Sequence, residues 1–538
     1  MVPPFRHPVV GSALILALCL TVFLVNGYSV LPYFGLQQDE AIFSGALFDN
    51  PYPWYSIQVG QTSIPLMVMS YLGATKVWLY AAVFSFFRPS VFSVRIPMLL
   101  LAAASLWIFY RLVNRSSGPR AAAFAIVLLA TDTSYLLTSV ADWGPVVIQH
   151  LTLLGGMAGL LAAYQTVKYL PLALGAFSFG VGLWDKALLV WMLSGTGVAA
   201  LLVFHQEIKR HLSIRRITVA GFFFLFGALP LIIYNIDKDL ETFRGNARFS
   251  TENLPTKVVL IPRTLQGSAL YGFLVEEDGA VTPRGHKTAF EAQTLALANL
   301  LGQPRASLNW HAFALALLLV PVLLFTRHRR TVLFVLITMA VAWTQMLFTK
   351  DAGGGAHHTI LLWPLPLWLI AIAFSWISER LGRLGVPFLI STGLLLAGAS
   401  LAVTNQYRSM AIRNGSPGGY TNAIFNLAAR LPSYTADRIY LMDWGMLDNL
   451  RLLQEGRLPL YWGTDEVANA NPARLKRMLA DPKAVFLTHT DDRQIFPGAN
   501  DRIKEAAAKA GFRPVVRETV YDFNGRPTFQ ILQFEPAP

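Results

Sequence analysis

Long apolar stretches dominate this chain and restrict what it can become more than any motif does. They fall near residues 9–31, 94–113, 119–137, 144–165, 169–185, 187–205, 217–234, 308–326, 331–349, 359–377 and 386–404. Each approaches the roughly 20 residues needed to cross a hydrocarbon core of about 30 Å. With 54% of its 538 residues hydrophobic and only 14% charged, the chain does not fit a soluble multidomain class. The net charge of +13 would suit nucleic acid, but its placement argues otherwise. Basic residues gather at one end of the spans: Arg111/Arg115/Arg120, Lys168, Lys209/Arg210/Arg215/Arg216, Arg327/Arg329/Arg330 and Arg380/Arg383. If Arg6 starts inside, all of these clusters fall inside, which is the positive-inside pattern of short cytoplasmic loops. The basicity is therefore topological, and no nucleic-acid partner is expected. About eleven spans is an odd number, so the end of the chain is expected outside.

The first run is long and lacks a small-x-small exit, so it reads as a permanent anchor rather than a cleaved signal. The single cysteine, Cys19, lies within it, which leaves no intrachain disulfide. Three segments are expected outside. The first, about 32–93, contains Ile64–Phe87, which is apolar but interrupted by Pro65, Gly73 and Lys76. A crossing there would invert the positive-inside register, so an interfacial placement is expected. The second, about 235–307, is polar. The third, residues 405–538, alternates strand-like runs (Arg438–Asp443, Ala484–His489, Val515–Tyr521, Thr528–Phe534) with amphipathic helical ones (Asn422–Leu431, Leu447–Glu455, Pro472–Leu479, Asp501–Ala510). The expected fold is a polytopic α-helical membrane protein, residues 1–404, with a small extracytoplasmic α/β domain, residues 405–538. No strong internal repeat is present, which weakens an inverted-repeat transporter plan.

The chemistry-bearing residues sit at the expected outer ends. Asp39-Glu40 follow the first span, Ser93-Val-Arg-Ile-Pro97 opens the second, and Thr138-Ser-Val-Ala-Asp142 follows the third. Gly182-Leu-Trp-Asp-Lys186 precedes the sixth, and Ala356-His-His-Thr-Ile-Leu-Leu-Trp-Pro364 opens a late one. In order and placement these motifs resemble the GT-C membrane glycosyltransferases of the protein O-mannosyltransferase and aminoarabinose (lipid A) transferase type, over roughly residues 1–400. The resemblance implies a polyprenyl-phosphate sugar donor, an essential acidic residue in the first outer loop, and a hexose or pentose as the transferred group. The acceptor would be a lipid, a glycan or a protein. Length and tail resemble bacterial members, so a bacterial inner membrane is expected, with the tail periplasmic.

A sugar on a lipid phosphate already carries a good leaving group. The reaction then needs a base for the acceptor hydroxyl and cations for the departing phosphate. The resemblance makes Asp39 the expected base, with Glu40 orienting it or binding acceptor. Asp142 is a third acidic candidate, although its Asp-Trp-Gly-Pro context also suits a helix cap. Lys186, Arg95, Lys350, His357 and His358 are candidate donor-phosphate contacts. Their plain alternatives are an ion pair of Lys186 with Asp185 and interfacial anchoring for Arg95. Adjacent histidines without further ligands support a metal centre weakly, so no metal site is assigned, and a divalent cation is left open. Tyr52, Trp54, Tyr55, Trp143 and Trp184 suit an aromatic belt or sugar stacking. The alternative function is a transporter or flippase of lipid-linked sugars, which would favour charges deep in several spans.

Overall fold

The apolar runs form helices where the pattern places them. The computed structural model describes residues 10–48, 55–246, 248–279, 284–350, 352–464 and 472–537. Arg6, Tyr52 and Trp54 lie outside the described residues. Among the described residues, five helices are long and apolar enough to cross a membrane: Ala13–Val30, Val91–Ser117, Val146–Thr166, Arg329–Phe348 and Gly382–Asn414. Four bent pairs bring the number to as many as nine if each pair is one span. Tyr169–Asp185 and Asn309–Leu323 are shorter apolar helices of 17 and 15 residues. The chain is an integral membrane protein with a mostly helical body.

The bends have local causes. Pro119–Thr131 and Thr133–Val140 meet at 55°, where Asp132 adopts extended backbone and its carboxylate accepts the Tyr135 N–H at 2.8 Å. Ile214–Gly227 and Leu229–Asp237 meet at 67°, with Pro230 in the first turn of the second helix. Proline there removes an N–H that a continuing helix would require.

The segment Ile64–Phe87, expected at the interface, is built from strands and a short helix. Tyr55–Val59 (β1), Thr62–Met69 (β2) and Leu72–Gly73 (β3) form a small antiparallel sheet, followed by the helix Thr75–Phe84. The β1–β2 turn is two residues long and Gly60 takes φ +62 there, a conformation that costs glycine little. Lys76, which looked like a simple interruption of an apolar run, is buried as a counter-ion.

After the last long apolar helix, which continues to Asn414 rather than ending near 404, a five-stranded sheet appears. Its strands are Arg438–Leu441 (β4), Leu460–Trp462 (β5), Ala484–His489 (β6), Phe512–Tyr521 (β7) and Pro527–Pro536 (β8), in the order β5-β4-β6-β8-β7. The first three run parallel, and β8 and β7 are antiparallel additions. All six residues of β6 are buried, as expected for a central strand covered on both faces. Ile439, Leu487 and Ile531 form one face's core, and Phe486, Leu479 and Ile503 the other's. The helices Ala423–Arg430, Leu447–Leu453, Pro472–Ala480 and Ala499–Lys509 fall on the expected amphipathic runs. Only β5, three residues long, lacked a sequence signal.

Candidate active site

The acidic segment is built as a single turn, Gln38–Ala41, closed by a reciprocal cap. The Gln37 side chain accepts the Glu40 N–H at 3.1 Å, while the Glu40 carboxylate accepts the Gln37 N–H at 3.4 Å. Gln37, Gln38 and Glu40 are buried. Asp39 is half-buried and faces a cavity of about 420 Å³. Lys186, Lys350, His357 and His358 line the same cavity, together with Tyr71, Trp143, Gly144, Asn246 and Arg248. Five of the eight candidates from sequence thus share one wall.

Two chain crossings assemble that wall. The β-sheet holds the connection after Tyr169–Asp185: Trp184 Nε1 donates to Leu66 O at 2.7 Å, Ala187 N donates to Tyr71 O at 3.0 Å, and Leu72 bridges to Lys186. Residues 248–250 pair with 348–350, with Lys350 N donating to Arg248 O at 2.7 Å and Ser250 N to Phe348 O at 2.9 Å. The Lys257 ammonium donates to Thr349 O at 2.7 Å and Leu347 O at 3.1 Å, satisfying carbonyls at the end of Arg329–Phe348. Arg248 and Lys350, both exposed, are thereby placed side by side.

Lys186 is buried, and its Nζ donates to Gly144 O at 2.9 Å. Gly144 takes φ +71, and a Cβ there would lie 2.9 Å from Lys186 Nζ and 3.6 Å from His357 Cδ2. Glycine is what lets the ammonium and the imidazole share this corner. Asp185 does not pair with Lys186; its carboxylate is held by Thr75 and by Gln149 Nε2, the latter at 2.9 Å. Burial lifts Asp39 above the ordinary carboxylate range, while Gln37, Lys186 and Lys76 pull it partly back. A carboxylate so raised is a stronger base than one in open water.

The other three candidates sit elsewhere. Glu40 and Arg95 form a fully buried ion pair, with Arg95 Nε 2.7 Å from Glu40 Oε1 and one terminal nitrogen 2.9 Å from Oε2. The remaining Arg95 donors reach Leu31 O at 2.9 Å, Phe34 O at 3.1 Å and Gly35 O at 2.8 Å. A guanidinium has five N–H donors, so none is left for a phosphate. Arg95 is therefore corrected from phosphate contact to loop anchor. Glu40, expected to orient Asp39 or bind acceptor, is corrected only in the second: it is Arg95's counter-ion and caps the turn that carries Asp39. Asp142 accepts the N–H groups of Val146 and Val147 at 2.7 and 3.1 Å, capping the helix that follows. Its other oxygen lies 2.8 Å from Lys76 Nζ, with both side chains buried. It does not line the cavity, so its place is structural.

Arg248, Tyr71 and Asn246 escaped the sequence reading. Nothing in their local pattern marks them; only the pairing of 248–250 with 348–350 and the turn after β2 bring them to the cavity. Tyr55 packs edge-on against Tyr234, and Trp184 against Trp78. Among the described residues, no three His, Cys, Asp or Glu side chains converge as a metal-ligand set would.

No protein-family model matches the chain, and no curated protein matches it in sequence. Its structure does match solved ones. ArnT from Cupriavidus metallidurans bound to undecaprenyl phosphate aligns with a TM-score of 0.56 at 13% identity, over 96% of this chain and 97% of that one. The oligosaccharyltransferase AglB from Archaeoglobus fulgidus, in complex with an inhibitory peptide and a dolichol-phosphate, gives 0.52 at 11% identity over 94% of this chain and 69% of that one. The chain shares the fold of these proteins, the GT-C fold. The alignment with ArnT runs nearly end to end, so the GT-C fold here takes in both the helical body and the sheet that follows it. The oligosaccharyltransferase from the same archaeon also appears as a complex with Zn and sulfate.

Proposed function

We propose that the chain is an inverting glycosyltransferase that moves a hexose or pentose from a polyprenyl-phosphate carrier to an acceptor at the outer face of a bacterial inner membrane. The observation that carries this reading is one cavity faced, among the described residues, by one carboxylate, Asp39, and by Lys186, Arg248 and Lys350. The polyprenyl and dolichyl phosphates held by ArnT and AglB supply the donor class. All eleven apolar helical stretches cross in this reading, which leaves residues 405–538 and the cavity outside.

The acceptor oxygen attacks the anomeric carbon from the face opposite the phosphate. Asp39 takes its proton as that bond forms. The bond between the anomeric carbon and the phosphate oxygen breaks, and the polyprenyl phosphate leaves with the bonding electrons. Lys186 and the rim cations stabilise the charge that grows on it. One displacement with one base inverts the anomeric centre. No step needs a general acid, because the leaving group is already a stabilised anion. The acceptor is a lipid, a glycan or a protein.

The test is transfer by the purified full-length chain from a panel of polyprenyl-phosphate sugars, comparing parent with Asp39→Asn. The amide keeps the shape but cannot take a proton, so the rate should fall roughly 10²–10⁴-fold with donor binding retained. Parent-level transfer by Asp39→Asn would end the assignment of Asp39 as base.

A further inference from the structure

Among the described residues, the sheet-bearing C-terminal region contributes none to the cavity wall, whose lining runs from Asp39 to His358. Yet it grips the segment that carries Asp39 at four points. Gly35 N donates to Tyr420 O at 2.7 Å, and Ser44 Oγ donates to Asp448 O at 3.0 Å. Leu447 N donates to the Gln38 side-chain oxygen at 3.2 Å. Asn449 Nδ2 donates to Leu36 O at 2.7 Å and to Gly445 O at 2.8 Å.

Consecutive carbonyls are divided between two holders. Arg95 takes Phe34 O and Gly35 O from the membrane side, and Asn449 takes Leu36 O from the other. The helix Leu447–Leu453 packs on both short helices of the segment, Gln38–Ala41 and Ser44–Leu47. Gln38 is held inward by Leu447, Glu40 by Arg95 and Gln37 by its reciprocal cap with Glu40, and Asp39 alone of the four is left facing the cavity. Asn449 itself is buried, so its amide has no water to fall back on.

We infer that Asn449 is a positioning residue for Asp39, and that the C-terminal domain acts on the reaction by fixing this segment rather than by touching donor. The inference rests on Asp39 being the base. A carboxylate misplaced by about 1 Å loses much of its effect, on the order of 10²-fold. A positioning role therefore shows in kcat and leaves donor KM alone, because the phosphate-facing cations belong to other segments.

The experiment uses the full-length chain with a polyprenyl-phosphate sugar and reads kcat, donor KM and amide hydrogen exchange over residues 35–48. Asn449→Leu keeps the volume but removes the donor. It should lower kcat about 10–100-fold, leave donor KM within about twofold, and speed exchange in 35–48. Gln38→Met deletes the partner of Leu447 N from the other side of the contact and should act in the same direction. It decides the matter if Asn449→Leu does not fold. Ile503→Ala, a cavity in the core on the other face of the sheet, should lower the unfolding temperature without changing kcat. Unchanged kcat in a folded Asn449→Leu or Gln38→Met would overturn the inference, as would kcat and KM falling together. A parent chain with no transfer activity would instead be the failure of the underlying function.

Discussion

Glu40→Gln tests the division of labour between the two adjacent acids most directly. The side chains of Glu40 and Arg95 are 1% and 0% exposed, and two contacts of 2.7 and 2.9 Å join them. Removing the negative charge leaves a guanidinium buried with carbonyls alone for partners. Breaking a buried pair from one side costs about 3–5 kcal/mol. The oxygen of the introduced amide would still accept one N–H, so the lower end, about 3 kcal/mol, is expected here. At about 1.4 kcal/mol per factor of ten, local opening becomes about 10²-fold more frequent. Hydrogen exchange in detergent should show this at the backbone amides of residues 35 and 40, both hydrogen-bonded within or against this segment. Donor affinity of the folded protein should change by no more than about twofold, because Arg95 has no free donor to give a phosphate. Unaltered exchange combined with a tenfold loss of donor affinity would refute the reasoning and return the pair to the binding site.

Three further outcomes follow from the cavity and the topology. Lys186→Met keeps most of the stem and deletes the charge, so donor binding should weaken by roughly 1.5–3 kcal/mol, measured by titration with a polyprenyl-phosphate sugar; unchanged affinity would leave Lys186 as no more than a link to Gly144. The base must be ionised to work, so kcat should fall as pH drops through the Asp39 pKa, which burial places above the usual carboxylate value of about 3.9. Because Lys186 pulls that pKa down, the acid limb should move to higher pH in Lys186→Met, and a shift to lower pH would contradict the placement of the two groups. Reporters fused after residue 538 should give signal only from the outside-specific type, and an inside signal would remove the outer-face cavity.

Two kinds of information were separable in this chain. The sequence alone determined the helical body, the mix of strands and helices that follows the last long apolar helix, and the chain positions of the cavity residues Asp39, Lys186 and His357. Hydrophobic length and charge asymmetry are one-dimensional quantities, and strand and helix periodicity are local, so both survive without coordinates. The Pro and Gly breaks of Ile64–Phe87 mark it off from the plain apolar spans without showing what it pairs with. Its strand partner, Tyr55–Val59, lies just upstream, and pairing is a tertiary fact. Likewise, Asp39 and Glu40 are neighbours with nearly the same chemistry, and no local pattern tells them apart. Their roles separate only because Arg95, 55 residues on from Glu40, fills its whole donor set on Glu40 and three carbonyls. Asp142 and Lys76 were drawn together in the same way, each cancelling the other's burial cost across 66 residues. Which buried charges neutralise one another, and which remain to face a substrate, depends on distances of a few ångströms between remote segments. Coulomb energy falls with separation in space rather than along the chain, and so that choice belonged to the tertiary structure.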